Sequence, residues 1–197
     1  MIAKKSSKAN NLSLLYRNQS KFHVPKFLVI FKRELKDKIK LQNKIKKKFR
    51  RNDKLIIRSS SLKEDNKNQS NAGKYLSILN VKNTENDVYK ALKRVGSYLN
   101  NSDQIIIQLF VSKVDISGVV FTRDPKNYSP YYIINYDTSK KTDLITSGKL
   151  NPSIKTKIIY RDKKIKEKFS QLILVIKKIE KLFKSDSLDI EFAIKNK

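Results

Sequence analysis

Arg58 follows a short apolar run, 55–57, and precedes a polar segment that contains Ser70, Ala72 and Gly73. A guanidinium group carries a permanent charge and holds phosphate through several hydrogen bonds. A glycine with small neighbours lets backbone N–H groups approach an anion closely. The order of strand, arginine and small polar loop therefore predicts that Arg58 and this loop bind the phosphates of a nucleotide.

Asp189 and Glu191 form a second candidate site near the other end of the sequence. Residues at positions i and i+2 of a strand point to the same face, so both carboxylates would project together. Such a pair suits Mg²⁺, which binds carboxylates and nucleotide phosphates. An ordinary solvated strand would show the same spacing. Acids are scarce in this chain, with 18 Asp and Glu against 45 Lys and Arg, and this scarcity favours the metal site.

Three further residues are candidates for nucleotide contacts. Lys8 stands just before a predicted helix, where a lysine adds charge to backbone donors that attract anions. For Lys8 the main alternative is an ordinary surface lysine. Thr122 and Arg123 end an apolar run, where they can face a ligand or cap a turn. The sequence leaves these two roles equally open.

The elements that must position these residues follow from the apolar patterns. Helical spacing predicts helices over 9–16, 34–50, 84–99 and 163–184. Short apolar runs predict strands over 27–31, 55–57, 75–81, 105–111, 118–121, 131–136, 154–160 and 188–194. The mixture lacks a strict βαβ repeat. We therefore expect an α+β fold with largely antiparallel sheets, arranged as two lobes over 1–82 and 83–197.

The composition limits the class of protein. The 197 residues are 39% hydrophobic and 32% charged, which is compatible with a folded chain. Cysteine is absent from the sequence, which excludes disulfides and thiolate metal sites. No apolar run reaches the roughly 20 residues of a membrane helix, and no secretory signal is apparent. These observations predict a cytoplasmic protein without a membrane partner.

The net charge of +27 would attract polyanions. Lys, Asn and Ile are abundant and Gly is scarce throughout, a pattern typical of a coding bias toward A and T, which is the favoured explanation. The densest basic run, 44–51, keeps a second function open. In that alternative the chain is a catalytically inactive basic module that binds nucleic acid or a partner protein.

Several segments, in this order, resemble the N-terminal ATP-binding domain of phosphoenolpyruvate synthase and pyruvate phosphate dikinase. They are 8–12 with 24–29, 57–60 with 64–65, 70–73 with 79–81, 117–122 with 124–125, and 189–193. The resemblance spans nearly the whole chain. It implies an ATP-grasp-type fold that binds ATP and Mg²⁺ for phosphoryl transfer.

The resemblance also implies a role for each candidate. Lys8 would contact the ATP phosphates, and Arg58 would hold the phosphoryl groups being transferred as the catalytic residue. The loop 70–74 would close over them. Asp189 and Glu191 would bind Mg²⁺ and orient the phosphates. Basic groups from the start of the chain and acids from its end would then bind the same MgATP complex.

The chain departs from the family pattern in three places. Ser6 and Ser7 replace two glycines that usually precede the lysine, and a Gly-Leu-Gly-Glu segment is replaced around 137–146. The family continues past Asp-Ile-Glu to a Gln-x-Arg strand, whereas this sequence ends at Lys197. We therefore expect an ATP-grasp unit that is incomplete at its C-terminus. Turnover would need a phospho-histidine domain and a pyruvate-binding domain on another chain.

Overall fold

The structure, a computed structural model, describes residues 6–61, 76–139, 153–162 and 169–195. The chain divides into two compact units, Met1–Phe110 and Val111–Lys197. The division falls later than the expected lobe boundary at 82/83. The reason is that the helix and strand between residues 84 and 110 pack on the sheet formed by the first part of the chain.

The described part of the first unit contains three α-helices and one four-stranded antiparallel sheet. The helices are α1 (Lys8–Arg17), α2 (Lys38–Lys48) and α3 (Glu85–Gly96). The strands are β1 (Phe27–Phe31), β2 (Lys54–Ser60), β3 (Ser77–Lys82) and β4 (Gln104–Leu109). Their order in the sheet is β1-β4-β2-β3.

The two faces of this sheet are covered differently. One face packs against α2 and α3, and its fully buried residues include Leu55, Ile57, Ile105 and Ile107. Burial of each such side chain stabilises the fold by roughly 1.5–3 kcal/mol. The opposite face carries the alternate residues of each strand. There Tyr16 of α1 packs edge-on against Phe27 of β1, with ring centroids 5.4 Å apart.

The single helix predicted over 34–50 was wrong. A 3₁₀ helix covers Lys32–Lys36, and α2 begins only after Asp37. The carboxylate of Asp37 accepts a hydrogen bond from the backbone N–H of Lys40 (2.9 Å), so it caps α2. An N-cap residue adopts a non-helical conformation, which separates the two helices.

The described part of the second unit has one helix on one four-stranded antiparallel sheet. Its strands are β5 (Ile116–Phe121), β6 (Tyr131–Asp137), β7 (Lys155–Tyr160) and β8 (Asp189–Ile194), and its helix is α4 (Ser170–Phe183). The strand order is β7-β6-β5-β8. The core lies between the sheet and α4, with Val120, Ile134, Ile173 and Ile176 among its buried residues.

Gly118 of β5 permits close packing in this core. A Cβ atom added there would lie 2.4 Å from the carbonyl oxygen of Asn135 and 2.6 Å from the ring of Phe192. The strand therefore needs a residue without a side chain at this position. With two antiparallel sheets and α-helices in separate segments, the structure confirms the predicted α+β class. Among the described helices, none combines the length and apolar character that a bilayer crossing requires.

Candidate functional site

The N-terminus of α1 is bonded to the ends of β2 and β4. The backbone N–H of Ala9 donates to the hydroxyl of Ser60 (2.9 Å). The hydroxyl of Ser7 donates to Oε1 of Gln104 (2.9 Å). Lys8 is exposed between these two anchoring residues. The fold thus fixes a helix N-terminus and a lysine at the end of β2.

Arg58 lies on the same face of the first sheet. Alternation along β2 puts Arg58 on the face that carries Ser60, and two strand residues span about 7 Å. Its cross-strand neighbours are Ile106 of β4 and Ser77 of β3. The side chain is half-buried, and its Nε atom is buried. A partly buried guanidinium attracts an anion more strongly than an exposed one, because water screens it less.

The backbone donors of α1 are partly used within the protein. The N–H of Asn10 donates to the hydroxyl of Ser7 (3.3 Å), and that of Ala9 donates to Ser60. A helix N-terminus binds anions through such N–H groups. Because two of these N–H groups donate to serine hydroxyls here, the attraction of phosphate to this face depends mainly on side-chain charge. Ser7 is the residue that caps the helix.

The predicted phosphate-binding loop falls between β2 and β3. Three of its candidate residues lie outside the described residues: Ser70, Ala72 and Gly73. Both described ends of the segment are anchored. The hydroxyl of Ser61 donates to Asp103 (2.8 Å), and the carbonyl of Leu76 accepts from the N–H of Ser59 (3.1 Å). The role of the loop in closing over phosphates stays a prediction.

Asp189 and Glu191 project from one face of β8, and both are exposed. Asp189 pairs with Phe121 and Glu191 with Val119 of the neighbouring strand β5. The residues between and after them, such as Ile190, pack into the core on the opposite face. The period-two spacing therefore places the two carboxylates as predicted, on the edge strand of the second sheet.

The chemistry of this pair fits a hard divalent cation. Mg²⁺ is usually held by one or two carboxylates together with substrate phosphates and water. The pair offers only oxygen ligands, and the rigid pairing of β8 with β5 fixes their spacing. Within the part of the chain that the structure describes, no cluster of three or more His, Cys, Asp or Glu could hold a metal ion. The role of the two carboxylates as ligands stays a prediction.

Thr122 has protein partners for all of its hydrogen-bonding groups. It is fully buried, and its hydroxyl donates to the carbonyl of Asp186 (2.7 Å). The same hydroxyl accepts from the N–H of Leu188 (2.8 Å), whose carbonyl accepts from the N–H of Thr122 (2.9 Å). The sequence left ligand contact and turn capping equally open, and the observed bonds are those of a turn cap.

Arg123 contacts the same turn. Its Nε and Nη2 atoms donate to Oδ2 of Asp186 at 2.9 and 2.6 Å, and Nη1 donates to the carbonyl of Tyr128 (3.0 Å). The hydrogen bond from Arg123 is the main reason that the pKa of Asp186 is lowered, although partial burial acts in the opposite direction. Both residues therefore connect the end of β5 to the segment just before β8.

A buried ion pair lies behind this turn, and the sequence analysis missed it. Arg161 donates from Nη1 to Oε1 (2.6 Å) and from Nη2 to Oε2 (3.2 Å) of Glu180. The hydroxyl of Tyr132 donates to Oε2 of the same carboxylate (3.0 Å). Burial raises the pKa of Tyr132, and the charge of Glu180 raises it further. Nη1 of Arg161 also donates to the carbonyl of Thr122 (2.7 Å).

A signal for this pair was present in the sequence. Glu180 follows Ile173 and Ile176 at helical spacing, so it lies on the apolar stripe of α4. A carboxylate on such a stripe needs a cationic partner when buried. The partner itself, Arg161, is 19 residues away and could not be identified from local spacing.

Comparison with known proteins bears mainly on the first unit. No curated protein matches this chain. Among solved structures, the chain is similar to a protein described as "Ca. Korarchaeum cryptofilum ACD1 in complex with coenzyme A", with 12% identity. The alignment covers 62% of this chain and 56% of that one, at a TM-score of 0.31. The chain thus spans little more than half the length of that protein.

Residues 5–107 match the family described as "Pyruvate phosphate dikinase, AMP/ATP-binding domain". The matched residues cover more than half of the 197-residue chain. They include α1 with Lys8 and β2 with Arg58, and they lie within the first unit. The match confirms the resemblance drawn from the sequence, and the chain belongs to the family of pyruvate phosphate dikinase AMP/ATP-binding domains.

Proposed function

We propose that this chain binds ATP together with Mg²⁺, as the nucleotide-binding part of a phosphotransferase that resembles phosphoenolpyruvate synthase and pyruvate phosphate dikinase. The family to which it belongs is an AMP/ATP-binding domain. The observation that carries the proposal is the arrangement of the first unit, in which the N-terminus of α1 with Lys8 is anchored to Ser60, two residues from Arg58.

In this proposal the two units supply different groups. Lys8 and Arg58 of the first unit bind the phosphates, with Arg58 on the phosphoryl group being transferred. Asp189 and Glu191 of the second unit bind Mg²⁺. Phosphoryl transfer needs positioning and charge neutralisation more than covalent chemistry from the protein. Two cations and two carboxylates on rigid elements suit that task.

The proposal also covers the fold type, the metal ion, the further domains and the loop, which the family assignment alone does not give. The fold is of the ATP-grasp type, and two antiparallel sheets that each pack against α-helices are compatible with it. When bound, Mg²⁺ neutralises phosphate charge. Turnover uses a phospho-histidine domain and a pyruvate-binding domain. The loop that contains Ser70, Ala72 and Gly73 closes over the phosphates.

The rival function, a basic module for nucleic acid, has weaker support. Its main sequence signal is the lysine-rich α2. Several of these lysines already contact protein groups: Lys44 binds Glu34, Lys46 binds Glu85 (2.8 Å), and Lys38 lies over the ring of Tyr89 (5.1 Å). These contacts neutralise part of the charge that α2 would offer to a nucleic-acid backbone.

Calorimetric titration with ATP distinguishes the two functions. We expect binding in the presence of Mg²⁺ that is greatly weakened by a chelator and only modestly weakened by added salt. A nucleic-acid module would instead bind an oligonucleotide duplex with an affinity that falls steeply as salt rises. Failure to bind MgATP, together with salt-sensitive binding of the duplex, would refute the proposal.

A further inference from the structure

The segment that leads into β8 is a tight turn between α4 and the candidate metal ligands. Lys184 ends α4 in the left-handed conformation, with φ of 51°. The N–H of Ser185 donates to the carbonyl of Glu180 (3.1 Å). The chain then passes Asp186 and Leu188 and enters β8 at Asp189. The placement of Asp189 therefore depends on what holds this turn.

Thr122 holds the turn at its last residues. Two hydrogen bonds join Thr122 and Leu188. The backbone N–H of Thr122 donates to the carbonyl of Leu188, and the backbone N–H of Leu188 donates to the hydroxyl of Thr122. A third bond runs from the hydroxyl to Asp186. Because Thr122 directly follows Phe121, the cross-strand partner of Asp189, these bonds extend the pairing of β5 with β8 beyond the end of the strand.

The residues that hold this turn are themselves bonded to other parts of the second unit. Arg123 binds the carboxylate of Asp186 from outside the turn. Arg161 donates to the carbonyl of Thr122 and to the buried carboxylate of Glu180. The backbone N–H, the carbonyl and the hydroxyl of Thr122 are thus all bonded within the second unit.

The positions of the two carboxylates depend on the backbone of β8 that carries them. Asp189 and Glu191 are exposed, and β8 is an edge strand that is bonded to the sheet only through β5. An edge strand held on one side opens more readily than a central one. The hydrogen bonds that hold the turn therefore also hold the start of β8, where Asp189 lies.

We propose that Thr122 and Arg123 are positioning residues for the Asp189 and Glu191 pair, and that they act by clamping the turn 186–188 rather than by touching the nucleotide. This inference rests on the proposed function, in which the pair binds Mg²⁺. Of the two roles that the sequence left open for Thr122 and Arg123, it assigns them the one without direct nucleotide contact.

The test uses Mn²⁺ as a paramagnetic probe in place of Mg²⁺. Binding of Mn²⁺ to the full chain with ATP is measured by electron paramagnetic resonance, and binding of metal-free ATP is measured by calorimetry. Thr122→Val keeps the shape of the side chain and removes the hydroxyl. We expect it to weaken Mn²⁺ binding about tenfold and to leave metal-free ATP affinity within about twofold of the wild type. Thr122→Ser restores the hydroxyl and should restore Mn²⁺ binding.

Arg123→Gln provides a second variant, because its position is partly exposed and the substitution leaves the buried hydroxyl in place. We expect it to weaken Mn²⁺ binding about threefold without changing metal-free ATP affinity. Lys126→Gln is the matched control, since it removes the same charge from an exposed position of the same loop. It should bind Mn²⁺ as the wild type does.

The outcomes separate this inference from the proposed function. If the wild type binds no Mn²⁺ with ATP, the proposed function fails and the inference fails with it. If the wild type binds Mn²⁺ and Arg123→Gln and a folded Thr122→Val bind it equally well, only the positioning role is overturned. Equal losses of metal-free ATP and Mn²⁺ affinity in Thr122→Val would also overturn it, because they would indicate direct nucleotide contact.

Discussion

The buried pair of Arg161 and Glu180 allows a quantitative test of how the second unit is held together. The two side chains are only 18% and 9% exposed. The carboxylate accepts two hydrogen bonds from Arg161 and one from Tyr132. Replacing Glu180 with Leu would leave a buried guanidinium without its counter-charge and the hydroxyl of Tyr132 without its acceptor. We expect a loss of about 4 kcal/mol in the free energy of unfolding.

A double-mutant cycle isolates the pair. Arg161→Met should lower the free energy of unfolding by a similar amount, because it leaves the buried charge of Glu180 without a cationic partner. The double variant removes both charges, although the carbonyl of Thr122 still loses one donor. We therefore expect the double variant to lower the free energy of unfolding by about 2 kcal/mol. These three losses together imply a coupling energy of about 6 kcal/mol between Arg161 and Glu180.

The assay is equilibrium unfolding in urea, followed by circular dichroism and tyrosine fluorescence, because the chain has no tryptophan. The exposed pair of Lys46 and Glu85, which are 65% and 51% exposed, is the matched control. Water screens this exposed pair, so its coupling energy should be far smaller than that of Arg161 and Glu180. Additive losses in Glu180→Leu and Arg161→Met, with no coupling, would refute the reasoning.

Two further predictions concern packing and pH. Gly118→Ala should lower the free energy of unfolding by about 2 kcal/mol, because its Cβ would meet backbone and an aromatic ring. Gly96→Ala should not lower it as much, since the only contact of its Cβ under 3 Å would be with the flexible end of Leu35 and alanine favours the helix. Equal effects of the two substitutions in urea unfolding would contradict this. Arg123 lowers the pKa of Asp186, so the pair stabilises the fold above the ordinary aspartate pKa, and that contribution is lost as pH falls through the lowered value. Asp186→Asn should cost about 0.5 kcal/mol at pH 7, and the difference from wild type should shrink below about pH 4; a difference that is the same at pH 7 and pH 3 would contradict it.

The local elements were predictable because each has a strong apolar period. The helices α3 and α4 bury residues at helical spacing, and the eight strands match short apolar runs to within a few residues. The period-two spacing of Asp189 and Glu191 correctly predicted that they share a face. These features depend on neighbours in sequence, and local spacing is sufficient to reveal them.

Features that depend on distant partners were not predictable in the same way. Strand β2 runs on to Ser60, where the hydroxyl binds Ala9, 51 residues away. The hydroxyl of Thr122 is hydrogen-bonded to Asp186 and Leu188, which are 64 and 66 residues away. The first compact unit extends to Phe110, past the expected lobe boundary, for the same reason, since β4 joins β1 and β2 through pairing that no local pattern indicates.

The most direct test of the central claim is the dissociation constant of MgATP in Arg58→Ala and Glu191→Gln. Arg51→Ala and Asp162→Asn are the controls, because they remove the same charges at exposed positions away from the candidate residues. We expect each candidate variant to bind MgATP at least about tenfold more weakly than the wild type, a loss of about 1.4 kcal/mol, and each control to bind as the wild type does. Unchanged affinity in both Arg58→Ala and Glu191→Gln would contradict the assignment of these residues to phosphate and Mg²⁺.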